Sequence, residues 1–172
     1  MDHVIDFLRA QIEKDPQPRV FFRLGEEYRK RGFFEEALDA YLMGIQQHTK
    51  NIPCLVSAGK MLKEMGKFRE AMIYFRKTVV LDPQNISALV GLTECQIELK
   101  MLSDAKKNLE IIDYLQPSFV KPLQSMLQRM QTTVDYQMTR VAEKVTEQVS
   151  GRDLAIRRLD LFLKHIKETI HV

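Results

Sequence analysis

The chain has 172 residues, 26 of them basic and 23 acidic, for a formal charge of +3. That length suits one domain or a short repeat array, and the apolar content excludes a disordered chain. The charge is mixed and solvated, and its densest basic run is only Arg29-Lys30-Arg31, so a polybasic nucleic-acid surface is excluded.

Helix formers dominate, while Gly and Pro fall at regular places, which points to an all-α protein. Residues 1–16 come first. Positions 2–14 read as a single helix, closed by Asp15-Pro16. Asp2, Asp6 and Glu13 interrupt its apolar residues, so a signal peptide is not expected in this segment.

Residues 17–119 follow with a strong internal period. Ala37, Ala71 and Ala105 are 34 apart, and four residues on stand Tyr41, Phe75 and Leu109. Leu24-Gly25, Ala58-Gly59 and Leu92-Thr93 form a second register, and Pro83 and Pro117 a third. The intervening loops also repeat, as Gly32-Phe33-Phe34-Glu35-Glu36, Gly66-Lys67-Phe68-Arg69-Glu70 and Lys100-Met101-Leu102-Ser103-Asp104. Glycine there can take the left-handed conformation that ends a helix. The acidic residues then meet the positive end of the next helix dipole. Proline closes each second helix.

These columns resemble the tetratricopeptide repeat (TPR), whose pattern has Leu-Gly and an aromatic in helix A, and Ala, an aromatic and Pro in or after helix B. Repeat one carries it as Phe21, Leu24, Gly25, Tyr28, Ala37 and Tyr41; repeat two as Ala58, Gly59, Leu62, Ala71, Phe75 and Pro83. Repeat three departs from it, with Thr93 in the glycine column and Gln96 in the aromatic column. The repeats fall at 18–51, 52–85 and 86–119. The resemblance implies a superhelical array of antiparallel helix pairs. Shifted by one period, Phe7 falls in the Tyr41 column and Ala10 in the Gly44 column, so residues 1–16 are expected to be a capping helix B.

Beyond Phe119 the family pattern fades but helical spacing continues through Leu123, Leu127, Met130, Val134, Met138, Val141 and Val145. Residues 120–149 are expected to begin by covering repeat three, with a break at the β-branched pair Thr132-Thr133. A second break is expected at Ser150-Gly151, where Ser150 and Asp153 resemble a capping box. Residues 150–172 then form an amphipathic helix with Leu159, Phe162, Leu163 and Ile166 on one side, a docking stripe for its own groove, another copy or a partner. From Leu159 to Lys167 it also resembles a short ending of some bacterial TPR proteins. That resemblance implies a Ras-like GTPase or roadblock-domain partner in a polarity or motility complex.

The four histidines are scattered, and Cys54 and Cys95 form no paired motif. No metal spacing, phosphate loop or nucleophile elbow is present, so no cofactor and no catalysis are expected. No apolar run reaches membrane-spanning length, and a cytoplasmic location is the expectation. The TPR resemblance implies instead a peptide-binding groove lined by helix A: Arg19, Phe22, Arg23, Glu26 and Arg29, then Pro53, Val56, Ser57, Lys60 and Lys63, then Ser87, Val90, Gly91, Glu94 and Ile97. Phe22, Val56 and Val90 would form an apolar strip, open to a partner or filled by the chain's own tail, beside an alternating row of Glu26, Lys60 and Glu94. The carboxylate clamp of chaperone-binding TPR proteins maps onto Phe22, Glu26, Ser57, Ser87 and Gly91, none of which agrees with it. An adaptor or scaffold is the leading expectation. A secretion chaperone, or a regulatory subunit of a larger enzyme complex, is the alternative.

Overall fold

The structure, a computed structural model, describes the backbone of residues 3–170 and the side chains of residues 3–146 and 148. The described residues fold into eight α-helices: α1 (His3–Lys14), α2 (Pro18–Lys30), α3 (Phe34–Gln47), α4 (Ile52–Glu64), α5 (Phe68–Leu81), α6 (Ile86–Glu98), α7 (Leu102–Leu115) and α8 (Val120–Ile170). A 3₁₀ turn, Pro117–Phe119, leads into α8. The chain divides into two units, 1–130 and 131–172.

In the first unit the helices pair as α2 with α3, α4 with α5, and α6 with α7, and each pair stacks on the next. The turns inside the pairs repeat with the sequence. Gly32 (φ +81°), Gly66 (φ +74°) and Lys100 (φ +61°) all hold the left-handed conformation, which is cheap for glycine and costly for lysine. Between pairs, Asn51 and Asn85 cap α4 and α6, accepting hydrogen bonds from the Cys54 and Ala88 amides. Asn51 also donates to the Pro18 carbonyl at 3.0 Å, which ties the start of α4 to the start of α2.

Small residues against large ones set the helix spacing. A Cβ on Gly59 would come within 2.8 Å of the Phe75 ring, and Gly25 faces Tyr41 in the same way. Tyr41 and Phe75 are fully buried, each contributing about 1.5–3 kcal/mol by leaving water. Repeat three solves its departures with polar bonds. Thr93, fully buried, donates to the Leu89 carbonyl at 2.7 Å, and Gln96 accepts from Asn108 at 2.8 Å. The opposing residue of the Tyr41 column is the smaller Leu109, which leaves room for a side chain at Thr93.

Helix α1 packs on α2 in the place of a helix B, but its expected register is wrong by one residue. Phe7 is 64% exposed and Ala10 is exposed, while Leu8 and Ile5 are buried. The cause is the connection: residues 15–17 join α1 to α2, whereas residues 48–51 and 82–85, one longer, join the later pairs. At the other end, Val120, Leu123 and Leu127 bury themselves against Leu89, Ile97, Leu109 and Ile112.

The second unit is the continuation of α8. Neither expected break exists: the helix runs through Thr132-Thr133 and through Ser150-Gly151. Two threonines cost a few tenths of a kcal/mol each and one glycine about 1 kcal/mol, and strong helix formers on both sides outweigh that. Tyr136, Met138, Val141 and Val145 are exposed on it. The side chains of Leu159, Phe162, Leu163 and Ile166 lie outside the described residues.

Candidate functional site

The helix-A positions lie in the first unit. Arg19 and Arg23 are exposed on α2, Pro53 and Lys60 are exposed on α4, and Phe22, Glu26, Val56, Val90 and Glu94 are partly buried on α2, α4 and α6. The three apolar residues lean into the cores beneath them. Phe22 packs on the cluster around Phe21 and Tyr41, Val56 on that around Phe75, and Val90 on that around Leu89. The Phe22 and Tyr41 rings lie 6.3 Å apart. Each strip residue is thus anchored below and open above.

The charges beside the strip are unequal in their partners. Glu26 accepts from Arg29 at 2.8 Å and from the Tyr41 hydroxyl at 2.7 Å. Burial works against its ionisation, yet the bonds from Arg29 and Tyr41 and the charges of Arg29 and Lys30 outweigh it and lower its pKa. Glu94 on α6 pairs with Lys63 on α4 at 2.5 Å. The alternating row expected from sequence is therefore not a free one: both of its acids are neutralised inside the chain.

One open pocket of about 320 Å³ lies between α4 and α6. Val90 and Gly91 stand beside Ile86 and Phe119, with Lys60, Lys63, Ser87 and Glu94 around them. Gly91 carries no side chain because a Cβ there would strike the Phe75 ring. Ile86 and Phe119 were not foreseen as site residues. Ile86 has a signal, its match with Ile52 one period earlier, whereas Phe119 reaches the pocket only through the 3₁₀ turn.

Burial pushes the Cys54 thiol up to about 12 and the Cys95 thiol up to about 11, so both stay protonated and unreactive near neutrality. Arg29, Lys30 and Arg31 are occupied with Glu26 and Glu27 of their own helix. Among the described residues no three His, Cys, Asp or Glu side chains gather as a metal site, and no helix is long and apolar enough to cross a membrane.

Stacked antiparallel pairs with small-against-aromatic columns every 34 residues make this a tetratricopeptide repeat fold. No family model matches the chain. Over 93 residues it is 31% identical to human Anaphase-promoting complex subunit 7, a match that covers 54% of this chain and 16% of that protein. A tetratricopeptide repeat protein from Parabacteroides merdae has a TM-score of 0.69 at 23% identity, over 76% of this chain and 54% of that one. The first TPR of Spaghetti (RPAP3), bound to an HSP90 peptide, has a TM-score of 0.63 at 22% identity, over 70% of this chain and 94% of that one.

Proposed function

We propose that the chain is a non-enzymatic adaptor that holds an apolar or amphipathic segment of another protein against α2, α4 and α6 in the helix-in-groove manner. The observation that carries this is the strip of Phe22, Val56 and Val90, one residue per repeat, each half-buried at its base and open at its top. The Spaghetti domain lends the general idea of a peptide ligand, but its HSP90 peptide is not carried over, because this chain has Phe22, Glu26, Ser57, Ser87 and Gly91 at the clamp positions.

The test is capture of partners from the native cell, with mass spectrometry, by the chain and by a Phe22→Ala, Val56→Ser variant. The variant should keep its circular dichroism and lose partners. Equal loss of helicity and binding would make the strip core, and undiminished capture would move the site elsewhere. The same capture addresses the setting implied by the Leu159–Lys167 resemblance: a Ras-like GTPase or roadblock-domain protein among the partners would place the adaptor in such a complex. A single membrane-active effector would favour the secretion-chaperone alternative.

A further inference from the structure

The groove residues bear five cations, Arg19, Arg23, Arg29, Lys60 and Lys63, and two anions, Glu26 and Glu94. Arg29 is committed to Glu26 and Lys63 to Glu94. Tyr41 holds Glu26 from below as well. Arg19, Arg23 and Lys60 make no ion pair among the described residues. The surface around the apolar strip is therefore electropositive in use. Lys60 stands at the pocket that Ile86, Val90, Gly91 and Phe119 leave open between α4 and α6.

We propose that the occupant of this groove is an acidic amphipathic segment of a partner protein. It seats one apolar side chain in the pocket bounded by Ile86, Val90 and Phe119 and sets its carboxylates against Lys60, Arg23 and Arg19. This deepens the adaptor reading and rests on it. Charge complementarity of this kind selects partners and speeds encounter. It also disfavours the chain's own tail as occupant: residues 152–170 hold five basic side chains (Arg152, Arg157, Arg158, Lys164, Lys167) against three acidic ones (Asp153, Asp160, Glu168), a net +2. A basic helix and a basic groove repel.

The experiment pans a random-peptide display library on the full chain and measures the enriched peptides by titration. Enriched peptides should carry an excess of Asp and Glu around apolar residues. Their affinity should fall about tenfold with Arg23→Glu or Lys60→Glu, and it should fall with added salt. Phe119→Ala should weaken them, and Glu94→Gln should strengthen them by releasing Lys63. That gain is an effect that mere loss of structure cannot produce; circular dichroism checks that every variant folds. Peptides that depend on Phe119 and Val56 but are neutral or basic would overturn the acidic preference and leave the adaptor reading standing. A synthetic 152–170 peptide that binds as tightly as the acidic ones would do the same. Acidic peptides indifferent to Lys60 and Phe119, or no binders at all, would overturn the groove reading and this inference with it.

Discussion

The Tyr41 hydroxyl donates to Glu26 at 2.7 Å, so a fully buried core ring of α3 orients a carboxylate on α2. Core and surface are coupled through this bond. Burial, and then the bond to Glu26, raise the tyrosine pKa, while Glu26 is held below its usual range.

A pH dependence follows. Glu26 has a depressed pKa in the folded chain, so its stabilising contribution is complete above the unfolded value of 4.5 and is lost as pH falls through the lower folded value. Glu26→Gln should therefore destabilise near neutrality, and the difference from the parent chain should shrink in acid. Tyr41→Phe should cost about 1 kcal/mol by removing one hydrogen bond. Urea unfolding across this pH range checks both. A Glu26→Gln penalty that is the same in acid as at neutrality would contradict the assignment.

The small-residue columns predict a steric penalty rather than a polar one. Gly59→Ala would push a methyl group into the Phe75 ring, and Ala71, fully buried in the same cluster, has no space for Leu. Each substitution should destabilise by about 1–3 kcal/mol. Thermal unfolding is the measurement, and an unchanged midpoint for Ala71→Leu would mean that this column does not lie at a helix contact.

The repeats were legible because their packing forces the same small and large residues back every 34 positions. Ala37, Gly25 and Tyr41 could be read without coordinates. The register of α1 could not, since it turns on a connection one residue shorter than the others, and a sequence shows no helix ends to that accuracy. The continuity of α8 was not legible because a β-branched pair and a lone glycine look like helix ends in sequence, whereas helix propagation carries through both. For the candidate site, the column of Phe22, Val56 and Val90 can be read from the period, but the pairing of Glu94 with Lys63 joins two helices through residues 31 apart. Such a bond is a product of packing and leaves no periodic trace.

Lys100 tests the turn geometry from the opposite direction. It holds φ +61° where repeats one and two use glycine, a conformation that costs an L-residue roughly 1–2 kcal/mol. Gly66→Ala should destabilise by about 1 kcal/mol. Lys100→Gly should cost nothing or stabilise slightly, because relief of strain offsets the greater freedom of glycine in the unfolded chain. Chemical denaturation of the two variants reads this directly. Destabilisation by Lys100→Gly comparable to that of Gly66→Ala would show that the Lys100 side chain matters more than its backbone.

The last prediction concerns residues 151–172. In the sequence, Leu159, Phe162, Leu163 and Ile166 recur at helical spacing, and burying an apolar side chain of this size is worth about 1.5–3 kcal/mol. That is a strong reason to dock on protein. The net positive charge of 152–170 argues against docking on the proposed groove of the same chain, where Arg19, Arg23 and Lys60 have no carboxylate partner among the described residues. A second copy or a separate partner is then the expected destination. Truncation after Ser150 should leave the thermal unfolding of the repeats unchanged. It should also either lower the mass found by light scattering or remove a partner recovered by pull-down. A truncated chain whose repeats unfold at lower temperature would show docking onto its own array. One unchanged in mass, stability and partner recovery would deprive the helix of any docking role.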